Sequence, residues 1–214
     1  MRSKFEEQLR NLNREMIDMG IMIENSIKES VEALNNGDVE TAKKIMEGDV
    51  NVDHQQKKIE NICFNLLIQQ QPVARDLRTI TAAMKMVTDM ERIGDHAADI
   101  SEMTIYMKDK NPLNNYEHIG KMAAETIIML NHSLEAYVER DRDKAKEVIE
   151  HDNIVDELFN STKGDIINLI RNNPEGGEEA VDLLMVAKYF ERIGDHATNI
   201  AEWVIYALNT KADA

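Results

Sequence analysis

The chain has one cysteine, three prolines and nine glycines in 214 residues, and each scarcity removes a class of structure. A lone thiol, Cys63, can neither close a disulfide within one chain nor supply a cysteine-based zinc site, so a reducing interior is its natural setting. No apolar run approaches the roughly 18 residues of a membrane span, and the N-terminal stretch MRSKFEEQLRNLN lacks the apolar centre of a signal peptide. A soluble, cytoplasmic protein is expected, reaching a membrane only through partners. Basic residues are also few: 25 Lys and Arg stand against 40 Asp and Glu, a formal charge of -15 with a pI near 4.8. Nucleic-acid binding draws most of its affinity from cations that neutralise phosphates, which argues against that class of partner. The carboxylate excess suits bound cations or a basic partner surface, and it is equally the surface of an ordinary acidic soluble protein. Aromatics make up 5% of the chain, and Trp203 and the tyrosines form no recognisable stacking platform.

What is abundant is Glu, Lys, Leu, Met, Ala and Ile, the composition of long helices, and the fold class is all-α. Turn signals at Asn35-Asn36-Gly37-Asp38, Gln71-Pro72, Asn111-Pro112 with Asn114-Asn115, Arg140-Asp141 and Asn172-Asn173-Pro174-Glu175-Gly176-Gly177 divide the sequence. They predict six helices at about residues 5–35, 38–70, 73–108, 114–139, 142–171 and 177–209. Each would be roughly 45 Å long, and the short turns make neighbours antiparallel. Apolar positions advance by threes and fours, as in Ile119, Met122, Thr126, Ile127, Leu130, Leu134 and Tyr137, and again in Leu183, Val186, Phe190, Ile193, Ala197, Ile200 and Val204. Met84, Met86 and Met90 read as core filler, since flexible thioethers pack irregular gaps between helices.

The heptapeptide ERIGDHA occurs twice, at Glu91 to Ala97 and at Glu191 to Ala197. At the same offset Ile100, Glu102, Ile105 and Tyr106 return as Ile200, Glu202, Ile205 and Tyr206. Upstream, Asp38, Ala42, Lys43, Glu47, Asp49, Val52 and Asp53 meet Asp141, Ala145, Lys146, Glu150, Asp152, Val155 and Asp156. The chain is therefore expected to be two tandem three-helix bundles, residues 1–110 and 111–214. Most other positions differ between the halves, so the identical stretch needs a reason beyond folding.

Residues four apart share a helix face, which places Glu91, Asp95 and Asp99 on one stripe with Glu102 close by, and Glu191, Asp195, Asn199 and Glu202 on its counterpart. Asp49 with Asp53 and Asp152 with Asp156 repeat the spacing near the starts of the second and fifth helices. In an up-down-up bundle these pairs lie at the same end as the stripes and can converge on them. Clustered carboxylates repel one another, and a hard cation such as Mg²⁺, Ca²⁺, Mn²⁺ or iron resolves the conflict. The candidate metal ligands are Asp49, Asp53, Glu91, Asp95, Asp99, Asp152, Asp156, Glu191 and Asp195. A salt-bridged face without metal is the competing reading, with Arg92 paired to Asp95 and Arg192 to Asp195. His96 and His196 sit about 140° round the helix from the glutamate and are poor ligands for the same ion. Gly94 and Gly194 border the apolar face and imply close approach of a neighbouring helix, because glycine inside a helix costs about 1 kcal/mol relative to alanine.

Catalysis is not indicated, and no enzyme is expected. Di-iron carboxylate bundles need Glu-x-x-His, whereas here Glu91 and His96 are five apart. There is no phosphate-cradling glycine loop and no nucleophile elbow.

Taken together, Gln71-Pro72-Val73-Ala74-Arg75-Asp76-Leu77-Arg78 and the two heptapeptides, the second continuing as Thr198-Asn199-Ile200, resemble the PhoU family of phosphate-signalling regulators over nearly the whole length. That resemblance implies six helices in two repeats, often as a homodimer, and repression of the phosphate-starvation response and of phosphate uptake. It implies as partners a phosphate-sensing histidine kinase and the ATPase subunit of the phosphate ABC transporter. It further implies metal at the Glu/Asp-x-x-x-Asp motifs, multinuclear iron in some members, with zinc, manganese, magnesium or nickel as other candidates. The halves are unequal: the segment at Pro72 to Arg78 has no counterpart, and Thr88 and Asp99 become Lys188 and Asn199. The first-half site is thus expected to hold more metal or to hold it more tightly, and the halves to contact different partners. A metal-handling protein or a metal-dependent phosphohydrolase is the alternative function, with Arg75, Arg78, Arg92 and Arg192 available as clamps.

Overall fold

The computed structural model describes residues 2–70, 72–107 and 117–209. They form six α-helices: α1 (Arg2–Asn36), α2 (Val39–Gln70), α3 (Ala74–Tyr106), α4 (Glu117–Glu139), α5 (Arg142–Asn172) and α6 (Gly177–Leu208), with one 3₁₀ turn at Pro174–Gly176. The expected elements appear in order, their ends displaced by no more than a turn. Gln71, the expected helix limits at 108 and 114, the turn signals Asn111-Pro112 and Asn114-Asn115, and the division between residues 110 and 111 lie outside the described residues.

Two turns are built alike. After α1, Gly37 takes φ 63°, the Asp38 N–H donates to the Ala33 carbonyl at 2.9 Å, and Asp38 Oδ1 accepts from the Thr41 N–H at 3.1 Å. After α4, Arg140 takes φ 57°, the Asp141 N–H donates to the Ala136 carbonyl at 2.9 Å, and Asp141 Oδ1 caps α5 through the Asp143 and Lys144 N–H groups at 2.9 and 3.0 Å. The left-handed backbone costs a side-chain-bearing residue about 1 kcal/mol, which glycine avoids, so the duplicated turn is strained only in the second repeat.

Within each repeat every helix packs on the other two, and the repeats join through α3 against α6 and α1 against α4. The two bundles are thus fused along one continuous core instead of standing separately in line. All seven α6 positions named from periodicity are buried, as are Met86 and Met90, and Met84 packs against them. Among polar groups inside, the Glu15 carboxylate accepts from Gln55 Nε2 at 2.9 Å and pairs with Lys58, tying α1 to α2. Cys63 is fully buried, and burial pushes its thiol up to about 12, which leaves no reactive thiolate at neutral pH. Among the described residues no helix is long and apolar enough to cross a membrane.

Candidate functional site

The heptapeptide on α3 divides by face. Ile93, Gly94 and Ala97 are buried, while Glu91, Asp95 and Asp99 are half-buried along an edge beside α2. Gly94 makes that seam: a Cβ built on it would lie 3.0 Å from Val52 Cγ1 and 3.5 Å from Asp49 Oδ1. The second repeat repeats the contact, with Gly194 facing Asp152 Oδ1 at 3.0 Å and Val155 Cγ1 at 3.4 Å. Both glycines therefore serve close packing, and in both repeats the packing carries a carboxylate of the neighbouring helix up to the acidic stripe.

The charges register this crowding. Burial, then the nearby Asp95, Asp53 and Asp99, push Asp49 up to about 6. Burial and then Asp156, Asp195 and Glu191 push Asp152 to about 6 as well. Glu91 and Asp195 are raised for the same reasons, burial first in each case. Counter-charges differ between the halves. Arg92 Nη1 binds Asp95 Oδ2 at 2.7 Å, and its Nε lies 3.5 Å from Glu91. Among the described residues no ion pair joins Arg192 to Asp195. Lys188, one turn earlier, binds Glu191 instead.

The nine candidate ligands thus fall into two seams, Asp49, Asp53, Glu91, Asp95 and Asp99 in one and Asp152, Asp156, Glu191 and Asp195 in the other. Among the described residues no three His, Cys, Asp or Glu side chains stand drawn together at the spacing of a bound ion. Oxygen donors that repel one another are nevertheless the chemistry that a hard, oxygen-seeking cation fits, and these are the residues that would hold one if it binds.

The histidines of the repeated heptapeptide meet each other. The buried His96 ring stacks on Tyr189 and lies 5.7 Å from the His196 ring, centroid to centroid. His96 Nδ1 is 3.1 Å from Asp99 Oδ2, and burial holds the imidazole below its ordinary range against the pull of that carboxylate. Across the interface, Asp89 Oδ1 contacts His196 Nδ1 at 2.9 Å and accepts from Asn199 Nδ2 at 3.0 Å. Asp89 meets Asn199 where His96 meets Tyr189, so α3 and α6 run antiparallel about a pseudo-twofold axis between the two heptapeptides. Sequence reasoning placed the histidines well round the helix from the glutamates, and missed both the contact of His96 with Asp99 of the stripe and this junction with its partners Asp89 and Tyr189. The available signal was the duplicated histidine, which a twofold axis brings face to face with its copy. Asn199, at the place of Asp99, belongs to this junction, and its seam is the less negative one.

Comparison with known proteins matches the PhoU domain to residues 16–104 and 119–204. A phosphate-specific transport system accessory protein PhoU homolog of Clostridium acetobutylicum is 38% identical over 211 residues, 98% of this chain and 96% of the relative. The protein of that name from Aquifex aeolicus is 35% identical over 189 residues, covering 88% and 86% of the two chains. The crystal structure of PhoU from Pseudomonas aeruginosa superposes with a TM-score of 0.90 at 28% identity over 95% of this chain and 98% of that one. The phosphate transport system regulatory protein PhoU from Streptococcus pneumoniae gives 0.86 at 26% identity over 95% and 96%.

Proposed function

The chain belongs to the PhoU family, and we propose from this that it is a negative regulator of phosphate uptake and of the phosphate-starvation response. It acts as a cytoplasmic adaptor, in homodimeric form, between a phosphate-sensing histidine kinase and the ATPase subunit of the phosphate ABC transporter. The observation that carries this reading is the presence of both PhoU domains across nearly the whole chain, in company with relatives named for the phosphate-specific transport system. Deleting the gene is expected to raise phosphatase expression in phosphate-rich medium. Unchanged expression there would sink the assignment.

Metal at the two seams is part of the same reading. Crowded carboxylates on each glycine-set contact support it, and a bound cation would neutralise them and hold α2 to α3 and α5 to α6. The first seam has five candidate carboxylates. Each seam has one paired cation, Arg92 in the first and Lys188 in the second, and the second has four candidate carboxylates with Asn199 in place of Asp99, so the first is expected to bind more strongly. Protein prepared without chelator should contain metal, and Asp49→Asn/Asp53→Asn/Glu91→Gln/Asp95→Asn should lose the larger share by elemental analysis. Equal metal content in the two proteins would restore the salt-bridged face as the explanation. A phosphohydrolase is less favoured, because Arg92 is committed to Asp95 and Glu91 in place of a substrate.

A further inference from the structure

The two repeats end in apolar tips of opposite charge. At the α2–α3 end Ile68 is 76% exposed and Val73 67%, with Phe64 at 50% and Leu77 at 46%. At the α5–α6 end Ile167, Ile170, Val181 and Met185 are exposed as well. Between Phe64 and Arg78 the charged residues are Arg75, Asp76 and Arg78, whereas between Ile167 and Met185 Glu175, Glu178, Glu179 and Asp182 outnumber Arg171. Neither the two guanidinium groups of the first tip nor the four carboxylates of the second make an ion pair with a described residue. The second tip is also concave. Glu178, Val181 and Asp182 line an open recess there with Gly177 and with Tyr106 from the end of α3.

These tips lie at opposite ends of the molecule. The first tip is where α3 starts and the second where α6 starts, and the two helices run antiparallel through the His96–His196 junction. About 20 residues separate each tip from that junction, so the tips stand roughly 60 Å apart along the helices. Within one chain they never meet. Exposed apolar groups with a polar rim mark interaction surfaces, and arginine is the cation that protein interfaces favour. Here a cationic rim and an acidic rim, each around exposed apolar groups, are the two matching sides of one interface, and both are carried by the same sequence. An anionic membrane would attract the first tip only, against a chain charge of -15.

We propose that each tip is covered by the unlike tip of a second copy of this chain. Two copies lying antiparallel bring each cationic tip to an acidic one, so the contact forms twice and the pair closes with twofold symmetry. Ile68 and Val73 of one copy enter the recess of the other, where Arg75 and Arg78 pair with Glu178 and Asp182. This deepens the homodimeric form proposed above, on which it rests, by naming the surfaces that make it.

Sedimentation of the full-length chain over a concentration series tests this with the variants Arg75→Glu/Arg78→Glu and Glu178→Arg/Asp182→Arg. Each sets like charges against one another at both contacts and should dimerise about tenfold more weakly or worse, with its helical circular dichroism unchanged. An equimolar mixture of the two should recover the dimer, because acid then meets cation at both contacts. A single chain carrying all four changes should recover it too. Wild-type protein that stays monomeric throughout overturns the homodimeric form together with the tip contact. A dimer equally tight in both variants overturns the tip contact and leaves the homodimeric form standing. Folded, monomeric variants that fail to associate when mixed overturn the pairing of unlike tips, and growth of the wild type beyond two copies overturns the closed pair.

Discussion

In the metal-free protein, Asp49→Asn should melt roughly 2–8 °C above the wild type, and Asp152→Asn by a similar margin. Each carboxyl is held at about 6 in the folded chain against an ordinary value of 3.8, by burial first and by neighbouring carboxylates second. A raised carboxyl value means that the folded state binds a proton the unfolded state has already released. The resulting penalty is complete above the folded value near 6, shrinks as pH falls from there, and is gone below 3.8. Two units correspond to about 3 kcal/mol, which solvent screening of these half-exposed groups reduces to about 1–2 kcal/mol each. An asparagine keeps the shape and removes the charge, so at pH 7 the variant escapes the penalty. Thermal melts with chelator between pH 4 and 7.5 check this through the difference between wild type and variant, which should be largest at pH 7 and close below pH 5. The difference is the appropriate readout because other acids act in the opposite direction, such as Asp38, whose carboxyl is lowered by its hydrogen bonds to Thr41. A variant that melts below the wild type at pH 7 would show that Asp49 is stabilising in its own right. Added divalent metal should raise the wild type more than the Asp49→Asn variant, which keeps only the second seam intact, and so narrow the gap between them, since a ligand stabilises only the state that binds it.

Much of this site was legible in the sequence, for reasons that also explain what was not. Helical periodicity placed Leu183, Phe190, Ala197 and Val204 inside because burial of a helix face is a local property of spacing. The turn at Asp141 was legible from its capping carboxylate, whereas the left-handed Arg140 was not, because arginine gives no sign of that backbone. Gly94 and Gly194 announced a close contact, but only the fold identifies Asp49 and Asp152 as the groups that come close. The Arg192–Asp195 pairing was inferred from the same i,i+3 spacing that holds Arg92 to Asp95. In the second repeat Lys188 supplies the cation from the other side of Glu191, and spacing alone does not rank two equally placed cations. The His96–His196 junction depends on how two halves cross, a relation between residues a hundred positions apart that no local pattern encodes.

Gly194→Leu is expected to cost about 3 kcal/mol, a fall in melting temperature of roughly 6–12 °C, while Gly164→Ala should add about 1 kcal/mol. Both glycines sit inside helices, so propensity alone would have both substitutions stabilise. Their surroundings decide otherwise. Around Gly164 nothing lies within 4 Å of a new Cβ, and only the helix gain remains. At Gly194 the same atom meets Asp152 Oδ1 at 3.0 Å, Val155 Cγ1 at 3.4 Å and Met129 Sδ at 3.8 Å. Val155 is stiff at its branched Cβ and cannot swing away, so a leucine must push α5 off α6. That displacement separates Asp152 and Asp156 from Glu191 and Asp195, and elemental analysis of Gly194→Leu should show the second-repeat metal lost with the first-repeat metal kept. Gly94→Leu should do the converse through Val52 and Asp49. If Gly194→Leu were as stable as the wild type, the glycine would have no packing role. If it were destabilised yet kept its full metal content, the seam between α5 and α6 would not be where the ion is held. The pair of measurements therefore separates two demands on one residue of the repeated heptapeptide: closing the helix contact, and bringing a second helix's carboxylates to the first.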